Sequence, residues 1–112
     1  MFVSGPAPLH ISYPRFKAAL GARDLAFIRR NARSIAIGLP DAAEVCRLIA
    51  EQDPGRLEEA SVHWIKRYAA EAPGQRRSDY LVIVSAFDSL TVDPERAAGE
   101  LAALCAARGI GS

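Results

Sequence analysis

The sequence is short of the residues that usually carry chemistry. Its 112 residues include two histidines, His10 and His63, and two cysteines, Cys46 and Cys105. The histidines stand in no HxxxH spacing and beside no cysteine pair, so no zinc ligand set is in reach and no metal or cofactor is expected. The eight glycines are scattered as breakers, with none of the spacings that cradle a phosphate. No apolar run approaches the roughly 20 residues of a membrane span. The opening Met1-Phe2-Val3-Ser4-Gly5-Pro6 has neither a basic nor an apolar leader region, which leads us to expect a cytoplasmic protein with no membrane partner.

Lysine is almost missing. Lys17 and Lys66 stand against twelve arginines, and the net charge is only +1. Residues 1–52 carry seven basic and four acidic side chains, and residues 53–112 carry seven and nine. That asymmetry falls short of the clustered basic face a nucleic-acid-binding domain presents.

What is present is a pattern of short amphipathic helices. Half the residues are hydrophobic, which excludes the composition of a disordered chain. At this length we expect one helical domain over residues 14–112, preceded by an extended arm, residues 1–13, that holds Pro6 and Pro8. Pro14 suits the first turn of a small helix carrying Phe16, Ala19 and Leu20, with Gly21 as its stop. Asp24 caps a second helix whose inner stripe is Leu25, Ile28, Ala32 and Ile35. Asp41 and Glu44 read as a capping box, followed by Ala42, Val45, Cys46 and Ile49 inside and Asp41, Glu44, Arg47 and Glu51 outside.

Asp53-Pro54 is a strong start signal for the longest helix, with Leu57, Ser61, Trp64, Tyr68 and Ala72 as its stripe. Val62, Ile65 and Ala69 flank that stripe, and Pro73-Gly74 ends the helix. Trp64 and Tyr68 read as core rather than as a base-stacking platform. His63 falls on the solvated side. Ser78 is the expected cap of a fifth helix. Asp93-Pro94 repeats the start signal for a sixth, with Ala97, Leu101, Leu104 and Cys105 inward, an alanine edge at Ala98, Ala102 and Ala106, and Gly109 as the stop. Both cysteines fall on inner stripes, where they act as small reduced hydrophobes and not as nucleophiles.

Tyr80-Leu81-Val82-Ile83-Val84 is the ambiguous stretch. Its β-branched and aromatic residues suit a buried strand, with Ser34–Ile37 and Leu9–Tyr13 as partners, which gives an α+β alternative. Tyr80, Ile83, Val84, Phe87 and Leu90 nevertheless keep the helical period over a longer window. The fold expected is therefore all-α, a compact bundle of about six short helices that could stack as hairpins, with the fifth at its centre.

From Phe16 to about Cys105 the chain resembles small all-α proteins of actinobacteria for which no activity is established. The strings that carry the likeness are Ala19-Leu20, Asp24-Leu25-x-x-Ile28-Arg29, Asp41-Ala42-x-x-x-Cys46-x-Leu48, Asp53-Pro54-x-Arg56 and Ala60-x-Val62-x-Trp64-x-x-Arg67-Tyr68. The resemblance implies helix over strand at Tyr80–Phe87 and brings no functional residues with it.

Two surfaces are left as candidates. Arg29, Arg30 and Arg33, which Arg23 and Arg15 could extend, form the densest basic feature and could face an anion, either nucleic acid or an acidic protein. Phe27, Leu81 and Val82 fall off the inner stripes and are candidates for an interface. We therefore expect a non-enzymatic helical module that binds another protein or itself as a homodimer, with nucleic-acid binding or regulation as the alternative.

Overall fold

Aspartate or proline opens most of the helices in this protein, and a left-handed residue closes the first and the last. The structure is a computed structural model that describes residues 11–111. The described residues are all-α: six α-helices and two 3-10 turns, with no strand among them. The helices are α1 (Tyr13–Gly21), α2 (Leu25–Arg30), α3 (Leu39–Gln52), α4 (Leu57–Glu71), α5 (Arg77–Ser89) and α6 (Pro94–Ala107). They group into two compact units, residues 11–37 and residues 38–111.

In the first unit α1 and α2 pack on each other. Ser12 caps α1, its hydroxyl accepting from the Arg15 amide, and Tyr13 already belongs to the helix; the rest of the expected arm, residues 1–10, lies outside the described residues. Gly21 does not stop α1. It is the last helical residue, and Arg23 takes the left-handed position at φ 60°. The Arg23 amide donates to Leu20 O and the Asp24 amide to Ala19 O, at 3.1 and 2.9 Å, which completes a Schellman closure on a residue other than glycine. Asp24 then caps α2 through a 3.0 Å bond from the Phe27 amide.

The second helix is shorter than its periodicity suggests. Leu25 and Ile28 are buried, but the helix ends at Arg30 and a 3-10 turn over Ala32–Ser34 follows. Asn31 turns its side chain back onto Phe27 O at 2.8 Å, a local bond that competes with helix continuation. Ala32 is consequently exposed and Ile35 is extended.

In the second unit α5 is not the central helix: α3 packs closely on α4 and α6, and α6 on α3 and α5, while α5 packs closely on α6 and only lightly on α4. The short link between α5 and α6 makes them an antiparallel hairpin. The core is Leu39, Ala43, Cys46 and Ala50 of α3, Trp64 and Tyr68 of α4, Ile83, Ala86, Phe87 and Leu90 of and after α5, and Ala97, Leu101 and Cys105 of α6. Of the expected alanine edge only Ala98 is buried, and Ala102 and Ala106 are exposed.

The start of α3 differs from the expected capping box. The helix begins at Leu39, with Gly38 as its N-cap and Pro40 in its first turn, so Asp41 lies inside that turn, where a carboxylate complements the helix dipole, and it is buried rather than outward. Asp53 likewise opens a 3-10 turn, Pro54–Arg56, before α4 begins. Asp93 does cap α6, accepting from the Arg96 amide. Gly109, at φ 74°, closes α6 through Gly109 N to Ala106 O and Ile110 N to Cys105 O, and Ile110 packs on the core beneath it.

Candidate functional site: the outward face of α5

Tyr80 to Val84, the stretch open to a strand reading, is helical, and its geometry leaves three apolar side chains of one helix exposed. Val92, in the link after the helix, is more exposed at 83% but stands alone, whereas α5 carries its exposed apolar side chains on one helix. At about 100° per residue the inward arc of α5 takes Asp79, Ile83, Ala86 and Phe87. Its outward arc takes Arg77, Leu81, Val84, Ser85 and Asp88, flanked by Val82. Leu81 is 72% exposed, Val84 50% and Val82 41%. Val84 was expected in the core. The helix buries a narrower arc than its composition suggests, because it lies at the side of its unit and not at the centre.

The inward arc is fixed by a polar cluster at the N-terminal end of the helix. Asp79 is 4% exposed and accepts four hydrogen bonds. The Tyr68 hydroxyl donates to Oδ2 at 2.7 Å, and the Arg76 amide to the same oxygen at 3.1 Å. Arg108, just past the end of α6, grips the carboxylate with both prongs, Nε to Oδ2 at 2.9 Å and a terminal nitrogen to Oδ1 at 2.7 Å. A planar fork on a carboxylate is the strongest of these contacts. The Arg108 bonds hold the Asp79 carboxyl well below the usual carboxylate range, overcoming the opposing effect of burial. The Tyr68 hydroxyl is pushed up to about 12, first by burial and then by the negative charge it donates to. Three helices thus meet at one carboxylate.

Neighbouring contacts reinforce this end. Gln75 donates to Ala69 O and Ala72 O, closing α4, and accepts from the Tyr80 hydroxyl. Tyr68 stacks on Trp64 with ring centroids 5.6 Å apart and meets Tyr80 edge-on at 5.7 Å. Trp64 donates its indole N–H to Leu39 O at 2.9 Å, tying α4 to the start of α3. Ser78 makes no cap here; Arg76 is the N-cap residue, and Asp79 accepts its amide from the third helical position.

The other candidates are placed as follows. Arg29, Arg30 and Arg33 are all exposed, on α2 and the 3-10 turn after it. Phe27 is half-buried, with the Arg15 guanidinium 5.3 Å from its ring centre, so it offers less free apolar surface than Leu81. Cys46 and Cys105 are buried and free; burial pushes the Cys46 thiol up to about 12 and raises Cys105 as well, so neither is primed as a thiolate. His63 is exposed. Among the described residues no group of three or more His, Cys, Asp or Glu could hold a metal ion, and no helix is long and apolar enough to cross a membrane.

Comparison with known proteins adds no assignment: no family model matches the chain, and no curated protein or solved structure is significantly similar to it. Sequence reasoning missed Asp79 and Arg108. They lie 29 residues apart and neither is part of a motif; the one local signal was an acid in the first turn of the fifth helix.

Proposed function

We propose that this chain is a non-enzymatic helical module that works in the cytoplasm by binding protein, and that the outward face of α5 is its contact surface. The observation that carries the reading is the exposure of Leu81 and Val84 on one arc, with Val82 at its margin, on a helix whose opposite arc is anchored. Single exposed apolar side chains are ordinary, whereas a contiguous group on a fixed element marks a surface meant to be covered. Covering it is worth about 25 cal/mol per Å² of apolar area removed from water. The Asp79 cluster supports the same reading, because a rigid helix loses little conformational freedom when a partner docks. Two buried, reduced thiols suit the cytoplasmic setting. Kinship with small all-α actinobacterial proteins is part of this proposal and brings no activity with it.

The test is affinity capture from lysate with the wild-type chain and with Leu81→Asp, whose fold is checked by circular dichroism. Loss of the captured partner on a folded Leu81→Asp variant supports α5 as the contact face. An unchanged partner set removes α5 from the reading.

A second reading rests on the exposure of Arg29, Arg30 and Arg33 within five residues. These side chains would pair with phosphates of a nucleic acid, with affinity falling steeply as salt rises. Retention on DNA or RNA at low salt that is lost in Arg29→Glu/Arg33→Glu would support it, and no retention would retire it.

A further inference from the structure

The outward face of α5 carries its own complement. With Leu81 taken as the origin, Arg77, Val84, Ser85 and Asp88 all fall within an arc of about 100° around it. Along the helix they run basic, apolar, apolar, polar, acidic. The midpoint between Arg77 and Asp88 falls between Val82 and Ile83, and so does the midpoint between Leu81 and Val84. If the helix is turned end for end about that midpoint, Leu81 exchanges with Val84 and Arg77 exchanges with Asp88. Neither Arg77 nor Asp88 takes part in an ion pair among the described residues, and both are exposed. The two ends are also reinforced: exposed Arg76 stands beside Arg77, and Glu58 of α4 borders the same open groove as Asp88.

We propose that α5 pairs with α5 of a second copy of this chain, antiparallel about a two-fold axis between Val82 and Ile83, with Leu81 against the partner's Val84 and Arg77 against the partner's Asp88. This deepens the contact-face reading above and rests on it. A two-fold interface requires that one patch be its own complement, and charge of opposite sign at equal distances from the axis meets that requirement. Arg77 and Asp88 are about 16 Å apart along the helix axis, so each lies about 8 Å from the two-fold. At the shallow crossing of about 20° common in helix pairs the two axes diverge by only about 3 Å there, within reach of an arginine side chain. One helix pair covers less than the about 1,200 Å² of a standard interface, so the association belongs to the weak class. The terminal charges then choose the partner and the register more than they add affinity.

The experiment is sedimentation equilibrium on the full chain across a concentration series, with two single charge reversals and their mixture. Wild-type protein is expected to move from monomer towards dimer as its concentration rises to high micromolar. Arg77→Glu alone places two acid–acid pairs across the axis, and Asp88→Lys alone places two base–base pairs, so each is expected to shift the midpoint at least tenfold towards monomer. Mixed one to one, the two variants restore both opposite-charge pairs, and the heterodimer is expected to return close to the wild-type midpoint. A misfolded variant could not be rescued by the other, so recovery in the mixture reads register and not stability. A wild-type chain that stays monomeric overturns the pairing and leaves the contact-face reading to its own capture test. A dimer whose mixture behaves like the single variants overturns it as well, because the contact then lies elsewhere or in another register.

Discussion

Tyr68→Phe isolates the bond that ties α4 to the polar cluster beneath α5. The side chain is fully buried, its ring stacks on Trp64, and its hydroxyl donates to Asp79 Oδ2 at 2.7 Å. Phenylalanine keeps the ring and its packing and removes only the donor. A hydrogen bond to a charged partner contributes about 1.5–3 kcal/mol. The lower part of that range applies, because Asp79 Oδ2 keeps Arg108 Nε and the Arg76 amide as donors. A loss of about 1.5–2 kcal/mol is therefore expected, read as a lower urea midpoint at unchanged slope and a fall in Tm of several degrees. Tyr80→Phe serves as the control, since its hydroxyl meets only exposed Gln75 and its removal should change stability by less than about 0.5 kcal/mol. The pH dependence adds a second readout. The Tyr68 hydroxyl is raised in the folded protein to about 12, so its contribution is fully present below about pH 10 and is lost as pH climbs through 12. The gap in stability between wild type and Tyr68→Phe should narrow over that interval. Equal stability of the two proteins at neutral pH, or a gap that does not change up to pH 12, would refute the assigned bond.

The same structure sets three other expectations. Asp79 is held well below the usual carboxylate range, so its contribution is present above about pH 4 and lost as pH falls; acid titration of Asp79→Asn should lack that decline, and the variant should be less stable than wild type at pH 7. Arg23→Gly should raise stability by about 0.5 kcal/mol, because glycine takes the left-handed position without the Cβ penalty, and a lower Tm would mean that the arginine side chain contributes more than its backbone costs. Cys46 and Cys105 should react with Ellman's reagent only after denaturation, and prompt labelling of either in the native protein would contradict their burial.

The helices were legible where local chemistry decides them. Asp24 and Asp93 accept the cap bonds their positions call for, Pro94 opens α6, and Gly109 closes it. The Trp64–Tyr68 stripe read as core because a repeat at helical spacing has one buried side wherever the helix sits. What could not be read was settled by longer-range geometry. Val84 and Ile83 are chemically alike, and only the position of α5 at the side of its unit leaves one exposed and the other buried. Asp79 and Arg108 meet because α5 and α6 pack as an antiparallel hairpin, a relation that no sequence spacing encodes. The second helix failed for a local reason, the Asn31 side chain bonding back to Phe27 O, which periodicity does not register. Of the candidate surfaces, the exposure of Leu81 and Val82 was legible because they fall off the inner stripe. For Phe27 the off-stripe position left cover by a neighbour or exposure both open, and only the structure shows Arg15 reaching it from another helix.

The outward face of α5 is proposed as the surface on which this protein pairs with a second copy of itself. Backbone amide chemical shifts of the labelled chain, followed from low micromolar to millimolar concentration, test it most directly. The expected result is a set of concentration-dependent shifts confined to residues 77–88 and absent in Leu81→Asp. Shifts centred on Arg29, Arg30 and Arg33, or a response that Leu81→Asp leaves intact, would contradict it.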